Sequence, residues 1–268
     1  GTSGGAGAGL SPAGDGAGQE PGAIETMLLE DRRYPPDHEF AAQANAQTEL
    51  HDLDFEELWA RESQRLTWFE PWTTLLEWKP PYAKWYLGGK LNVCFNCVDR
   101  HVEAGRGGMV AYHWEGEPDG DRRELTYADL QAEIVRLANA LKELGVRKGT
   151  KVAIYMGMVP ELANAMLACT RLGAPHTVVF GGFSADSLSG RINDMGCTVG
   201  VTQDEAWRRG SKVPLKQIAD EAMGNAPGIE KCVVLRRTEG EVSMEPGRDV
   251  FWNEVVEGKP DDSESCPC

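Results

Sequence analysis

Between residues 151 and 235 the chain passes through four short Val/Ile-rich segments, Lys151–Met156, Pro175–Phe180, Thr198–Thr202 and Lys231–Leu235, each separated from the next by a stretch of helical character. No other feature restricts the fold as strongly. Parallel neighbours in one sheet need a crossover of a dozen or more residues, and near-continuous apolar strands are buried on both faces. The alternation therefore predicts an α/β fold with a doubly wound, mainly parallel sheet.

Start and stop signals sharpen the helices. Thr126 is a predicted N-cap with Asp129 three residues on, and Leu130, Ile134, Leu137, Ala138, Leu141 and Leu144 recur on one face until Gly145. Pro160 suits a first helical position, and Gly173 closes the helix that ends at Leu172. Ser184 caps a helix reaching about Met195, and Pro214–Met223 is a further helix. Upstream, Met109–Trp114 reads as a strand followed by a turn at Gly116–Asp121. The elements from Thr126 to Leu235 are expected to form one parallel layer.

Two segments precede this part. Residues 1–33 hold nine glycines in their first 22 positions and few large apolar residues, too little to offset the entropy of ordering, so a disordered tail is expected. Residues 34–101 carry five of the eight tryptophans (Trp59, Trp68, Trp72, Trp78, Trp85), with Pro71, Pro80 and Pro81 among them. Asp54–Leu66 reads as a short amphipathic helix. Trp78–Asn92 has no clear period and is expected to wrap over another part, the aromatic layer packing against the sheet. Acids rather than interleaved Arg and Lys surround these rings, which argues against a base-stacking platform.

With 42 acids against 27 Lys and Arg, a net charge of −15, the chain is repelled by nucleic acid and by anionic membrane surfaces, so a phosphate-bearing partner needs a local basic site. No apolar run reaches the roughly 18 residues of a membrane helix, and the start lacks the basic-then-apolar order of a signal peptide. The cytoplasm is the expected compartment. Seven cysteines, an odd count with Cys169 and Cys232 in apolar contexts, fit free thiols. Cys94 and Cys97 have CxxC spacing but no second such pair, which favours packing over zinc or redox chemistry, and no metal site is expected.

Ligands of open parallel sheets gather where strands end and helices begin. Phe180-Gly181-Gly182-Phe183-Ser184 is one such loop; its paired glycines admit close approach of a ligand, or else simply make a tight turn. It lacks the G-x-G-x-x-G of a dinucleotide fold. The second is Trp207-Arg208-Arg209-Gly210-Ser211-Lys212, which with Lys216 places four cations between Glu205 and Asp220 and no acid among them. A guanidinium fork matches phosphate oxygens. A solvated basic turn is the plainer alternative.

Lys90-Leu91-Asn92-Val93, Asn96-Cys97-Val98-Asp99-Arg100-His101, Trp114-Glu115-Gly116-Glu117-Pro118, Leu125-Thr126-Tyr127-Ala128-Asp129-Leu130, Val152-Ala153-Ile154-Tyr155-Met156, Leu172-Gly173-Ala174-Pro175-His176, Val179-Phe180-Gly181-Gly182-Phe183-Ser184 and Arg191-Ile192-Asn193-Asp194 follow one another in an order and spacing that resembles the acetyl-CoA synthetases, AMP-forming acetate–CoA ligases of the adenylate-forming superfamily. The resemblance runs from about Tyr34 to the last residue. It implies that residues 34–101 are the N-terminal segment of such an enzyme and residues 102–268 the first, truncated part of its AMP-binding domain. Substrates would be acetate, CoA and ATP with Mg2+, and acetyl-AMP the intermediate. By position Phe180, Gly181 and Gly182 would receive the CoA adenine, and Arg208, Arg209, Gly210 and Ser211 would grip its 3′-phosphate. Ser211 stands where the family generally has a second cation, with Lys212 next to it. The family's phosphate loop, ending in Pro-Lys-Gly, and its catalytic lysine have no counterpart among these residues. An N-terminal fragment with no catalytic residues, inactive alone, is therefore expected. A self-sufficient CoA-binding module and a nucleotide-dependent oxidoreductase are the competing readings.

Overall fold

The computed structural model describes residues 33–45, 53–262 and 266–268. The expected tail, residues 1–33, lies outside them except for Arg33. The chain divides into two units, residues 1–53 and 54–268. In the first, the described element is helix α1 (His38–Gln43), whose N-cap Asp37 accepts the Glu39 amide at 2.8 Å.

The second unit is built on a five-stranded sheet of β5 (Val152–Met156), β6 (His176–Phe180), β7 (Val199–Gln203), β10 (Lys231–Leu235) and β11 (Asp249–Phe251). The order is β11-β10-β7-β5-β6 and every pairing is parallel. The predicted doubly wound α/β sheet is thus present, with β11 as a strand beyond the four read from the sequence. Both faces are covered. Val152, Ile154 and Met156 point to the side of helices α3 (Tyr127–Glu143) and α4 (Pro160–Leu172). Ala153 and Tyr155 point to the side of α5 (Ala185–Met195) and α6 (Leu215–Gly224). This period-two division explains why these strands read as continuous apolar runs.

The helix ends follow the signals. Thr126 and Asp129 close a reciprocal capping box, Pro160 opens α4, and Gly173, at φ 68°, ends it in the left-handed region. Ser184 caps α5 through the Ser187 amide.

Two expectations need correction, and two gain an added strand pair or strand. Trp78–Asn92 is not an irregular wrap: β1 (Thr74–Lys79) and β2 (Tyr82–Leu87) form an antiparallel hairpin around Pro80-Pro81. Its residues are half-buried or exposed on both faces, so no alternation marks it. The aromatic layer packs on itself rather than on the parallel sheet: Phe55 and Trp59 of helix α2 (Phe55–Ser63) meet Trp85 and each other at 5.8–6.3 Å, and Tyr86 lies 5.4 Å from Trp68 and 5.8 Å from Trp72. The strands read between Thr126 and Leu235 do form one parallel sheet, to which the structure adds a short antiparallel pair, β8 (Ala206–Arg208) and β9 (Ser211–Val213), after β7. The strand and the turn at Gly116–Asp121 are where they were read, and the turn joins β3 (Val110–Glu115) to an antiparallel β4 (Arg122–Thr126).

Residues 91–101 are fastened to the sheet layer by the buried Cys94 and Val98, which join the apolar core, and by polar contacts. Arg171, near the end of α4, meets both Asp99 carboxylate oxygens at 2.8 Å, and Gln131 donates to Asp99 at 2.9 Å. Leu91 and Cys268 exchange both backbone hydrogen bonds at 3.0 Å.

Candidate functional site

In the strand order, β5 leads to β6 on one side while β7 leads to β10 on the other, so the connections diverge between β5 and β7. Crevices at the carboxyl ends of strands flanking such a point are where open α/β sheets hold ligands. A cavity of about 430 Å³ lies there, formed by Met156 at the end of β5 and Gly157 after it, Phe180 at the end of β6 and Gly181 after it, and Gln203 at the end of β7. Trp114 and Glu117 from the β3–β4 hairpin, Trp207 and Arg208 from β8, and Arg237 after β10 complete its walls.

Hydrogen bonds set each wall. Gln203, fully buried, accepts the Gly157 amide at 2.9 Å and donates to the Glu205 carbonyl at 2.7 Å, which fixes two strand ends against each other. The Tyr155 hydroxyl donates to the Phe183 carbonyl at 2.8 Å and holds the glycine loop on the sheet. Trp114 donates its indole N–H to the Met158 carbonyl at 2.8 Å. Asp204, buried, accepts four backbone amides, those of Glu205, Arg237, Thr238 and Gly240, at 2.7 to 3.2 Å. The loop after β10 is thereby pinned, and Arg237 is delivered over the Trp114 ring at 5.1 Å and against Asp121.

The glycine loop and the basic loop, 22 residues apart in sequence, meet here. Arg208 lies over the Phe180 ring at 5.0 Å and across the Gly182 backbone, where a Cβ would overlap its Nη1. Gly181 has the same constraint against Met156, whose carbonyl oxygen would be 3.0 Å from a Cβ. Among the described residues no carboxylate forms an ion pair with Arg208, which is exposed at the cavity rim. Phe180, Gly181 and Arg208 therefore line the cavity, with Gly182 beneath Arg208. Arg209, Gly210 and Ser211 do not line it. Arg209 (φ 52°) and Gly210 (φ 76°) are the two central residues of the β8–β9 turn, both left-handed as a twisted two-residue hairpin demands. The Ser211 hydroxyl donates to the Arg208 carbonyl at 3.1 Å.

Two corrections concern charge. Lys216 is no member of the basic loop: it is buried, with its ammonium 2.7 Å from both Asp220 oxygens and 2.9 Å from Asp249. The stretch is free of acids in sequence but not in space. Glu117 accepts the Gly210 amide, and Lys212 pairs with Glu205 at 3.1 Å. A hydrogen bond from the Thr238 hydroxyl, aided by Lys212, holds the Glu205 carboxyl below the usual carboxylate range. Trp114, Gln203 and Arg237 were not singled out for the site from the sequence. They reach it from three separate elements, and no local pattern marks that convergence.

The thiols stand apart from this chemistry. Burial, with the Asp99 carboxylate nearby, pushes Cys94 up to about 12, and burial alone does the same to Cys169. CxxC chemistry through Cys94 is thus disfavoured, since the thiolate is the reactive form. Among the described residues no three His, Cys, Asp or Glu side chains converge as metal ligands, and no helix is long and apolar enough to cross a membrane.

Fold and crevice together define an α/β protein whose switch-point cavity is edged by a guanidinium that has no carboxylate partner among the described residues. Comparison with known proteins narrows this. The family model for AMP-binding enzymes matches residues 98–265, and that for the acetyl-coenzyme A synthetase N-terminus matches residues 49–97. The chain belongs to the AMP-binding enzyme family, in its acetyl-coenzyme A synthetase group. It is 50% identical over 241 residues to the acetyl-coenzyme A synthetase of Rubrobacter xylanophilus, covering 88% of this chain and 37% of that one. To that of Rhodopirellula baltica it is 46% identical over 260 residues, covering 92% and 39%. The chain thus spans less than two fifths of the length of these relatives. Acetoacetyl-CoA synthetase from Streptomyces lividans shares the fold, with a TM-score of 0.76 at 19% identity over 87% of this chain and 39% of that chain.

Proposed function

We propose that the chain serves an acetate–CoA ligase, which joins acetate and CoA at the expense of ATP through acetyl-AMP and releases AMP and diphosphate, and that its switch-point cavity takes the nucleotide end of CoA. The observation that carries this is Arg208, a guanidinium without a carboxylate partner among the described residues, laid across Gly182 beside the half-exposed Phe180 ring. In that reading adenine rests on Phe180 over a backbone that Gly181 and Gly182 leave open. Arg208 gives charge-assisted hydrogen bonds to the 3′-phosphate, and Trp114 and Met156 exclude water. Mg2+ accompanies ATP in such a reaction; the described residues offer no converging ligand set for it, and no step here is routed through it.

Titration calorimetry of the 268-residue chain tests the reading. CoA is expected to bind more tightly than dephospho-CoA by at least tenfold, the scale of one charged hydrogen bond. Equal affinities would overturn it.

We also propose that these residues alone do not adenylate, since the sequence contains no Pro-Lys-Gly with which to end a phosphate loop. Acetate-dependent exchange of pyrophosphate into ATP is expected to stay at background. Exchange that co-purifies with the chain through successive columns would refute this.

A further inference from the structure

The Gly210 amide, at the tip of the β8–β9 turn, is already occupied by an anion, and that anion belongs to the protein. The Glu117 carboxylate reaches it from the β3–β4 turn, 93 residues away in sequence. The neighbouring acids are engaged differently. Glu115 is paired with Arg122 at 2.7 Å and Asp121 with Arg237, while Glu205 holds Lys212 and the Thr238 hydroxyl. Glu117 forms no ion pair among the described residues, so the hairpin amide is the partner the structure gives it.

We propose that Glu117 is the specificity gate of the phosphate end of this site: its carboxylate holds the Gly210 amide when no ligand is bound, and a dianionic phosphate on Arg208 displaces it. This rests on the reading of the Arg208 hairpin as a phosphate site. The turn amide favours an anion, as its present partner demonstrates. A carboxylate and a phosphate cannot share that amide, and a like charge left within a few ångströms of the incoming phosphate opposes it. A weakly charged or neutral group gains too little from Arg208 to dislodge Glu117; a phosphate dianion gains more. Because Glu117 and Gly210 lie on separate hairpins, displacement also uncouples the two walls of the cavity mouth.

Glu117→Gln tests the gate, since it keeps the size and an oxygen acceptor for the Gly210 amide and removes only the charge. By calorimetry on the 268-residue chain, CoA is expected to bind the variant roughly tenfold more tightly than wild type, the effect of removing one nearby like charge. Dephospho-CoA is expected to bind unchanged, and raising the salt should shrink the CoA gain by screening. Unchanged CoA affinity, or an equal gain for both ligands, would overturn the gate. The two levels separate cleanly. If wild type prefers CoA through Arg208 and Glu117→Gln alters nothing, the gate fails and the site stands; if wild type shows no preference, both fail.

Discussion

Replacing Lys216 by Met is expected to lower folding stability by about 3–5 kcal/mol, the cost of removing one partner from a buried ion pair. Its side chain is 1% exposed and that of Asp249 fully buried. Together with Asp220 and Arg248 they form a closed group in which Arg248 meets Asp220 and Asp249 at 2.6 Å and Lys216 also donates to the Ser243 carbonyl at 2.8 Å. Met fills similar volume but leaves Arg248 as the one cation beside Asp220 and Asp249 among the described residues. Burial pushes the Asp249 carboxyl up, yet hydrogen bonds from Arg248, the Glu245 amide and Lys216 outweigh it and hold it below its usual range. A lowered folded-state value means the contribution is complete above the unfolded value of about 3.9 and disappears as pH falls through the folded one. Urea unfolding at pH 7 should therefore show most of the loss, and at pH 3 the gap between variant and wild type should narrow. A loss under 1 kcal/mol at pH 7 would mean that the group is solvated. The ratio of CoA to dephospho-CoA affinity should not change, which separates Lys216 from the site it neighbours in sequence.

Arg208→Ala should do the opposite. The side chain is exposed and carries no ion pair among the described residues, so stability is expected to stay within about 0.5 kcal/mol, as for ordinary surface positions. A charge-assisted hydrogen bond to phosphate contributes roughly 1.5–3 kcal/mol, so CoA should bind about 10- to 150-fold more weakly. Dephospho-CoA should bind almost as before, and the variant should hardly distinguish the two. Equal loss with both ligands would assign Arg208 to holding Phe180 and the glycine loop in place rather than to the phosphate.

The sheet was legible because its strands are covered on both sides. β10 carries the bounds read from its apolar run, and α3 and α4 begin and end at their own capping residues. Two of the hairpins were not, for two reasons. β1–β2 exposes Trp78 and Tyr82, at 65% and 76%, so neither face imposes a pattern. β8 and β9 have three residues each, too few for a period. At the site, the chemistry of Arg208 and the glycine loop was readable from residue type. The fates of the charges around it were not. Lys216 and Glu117 differ in what lies opposite them: beside its i+4 partner Asp220, Lys216 meets Asp249 from 33 residues away, and Glu117 meets Gly210 from 93 residues away, both beyond any local window.

Asp204 also restricts where the chain can change in length. One carboxylate holds the amides of Glu205, Arg237, Thr238 and Gly240, so inserting or deleting a residue between Leu235 and Gly240 would strip at least one amide from a buried acceptor. Each group left unmet costs about 1–3 kcal/mol. The same shift would carry Arg237 off Trp114 and open one wall of the cavity. Related chains are therefore expected to vary in length after Gly240, on the way to β11, and to keep the five residues before it without gaps.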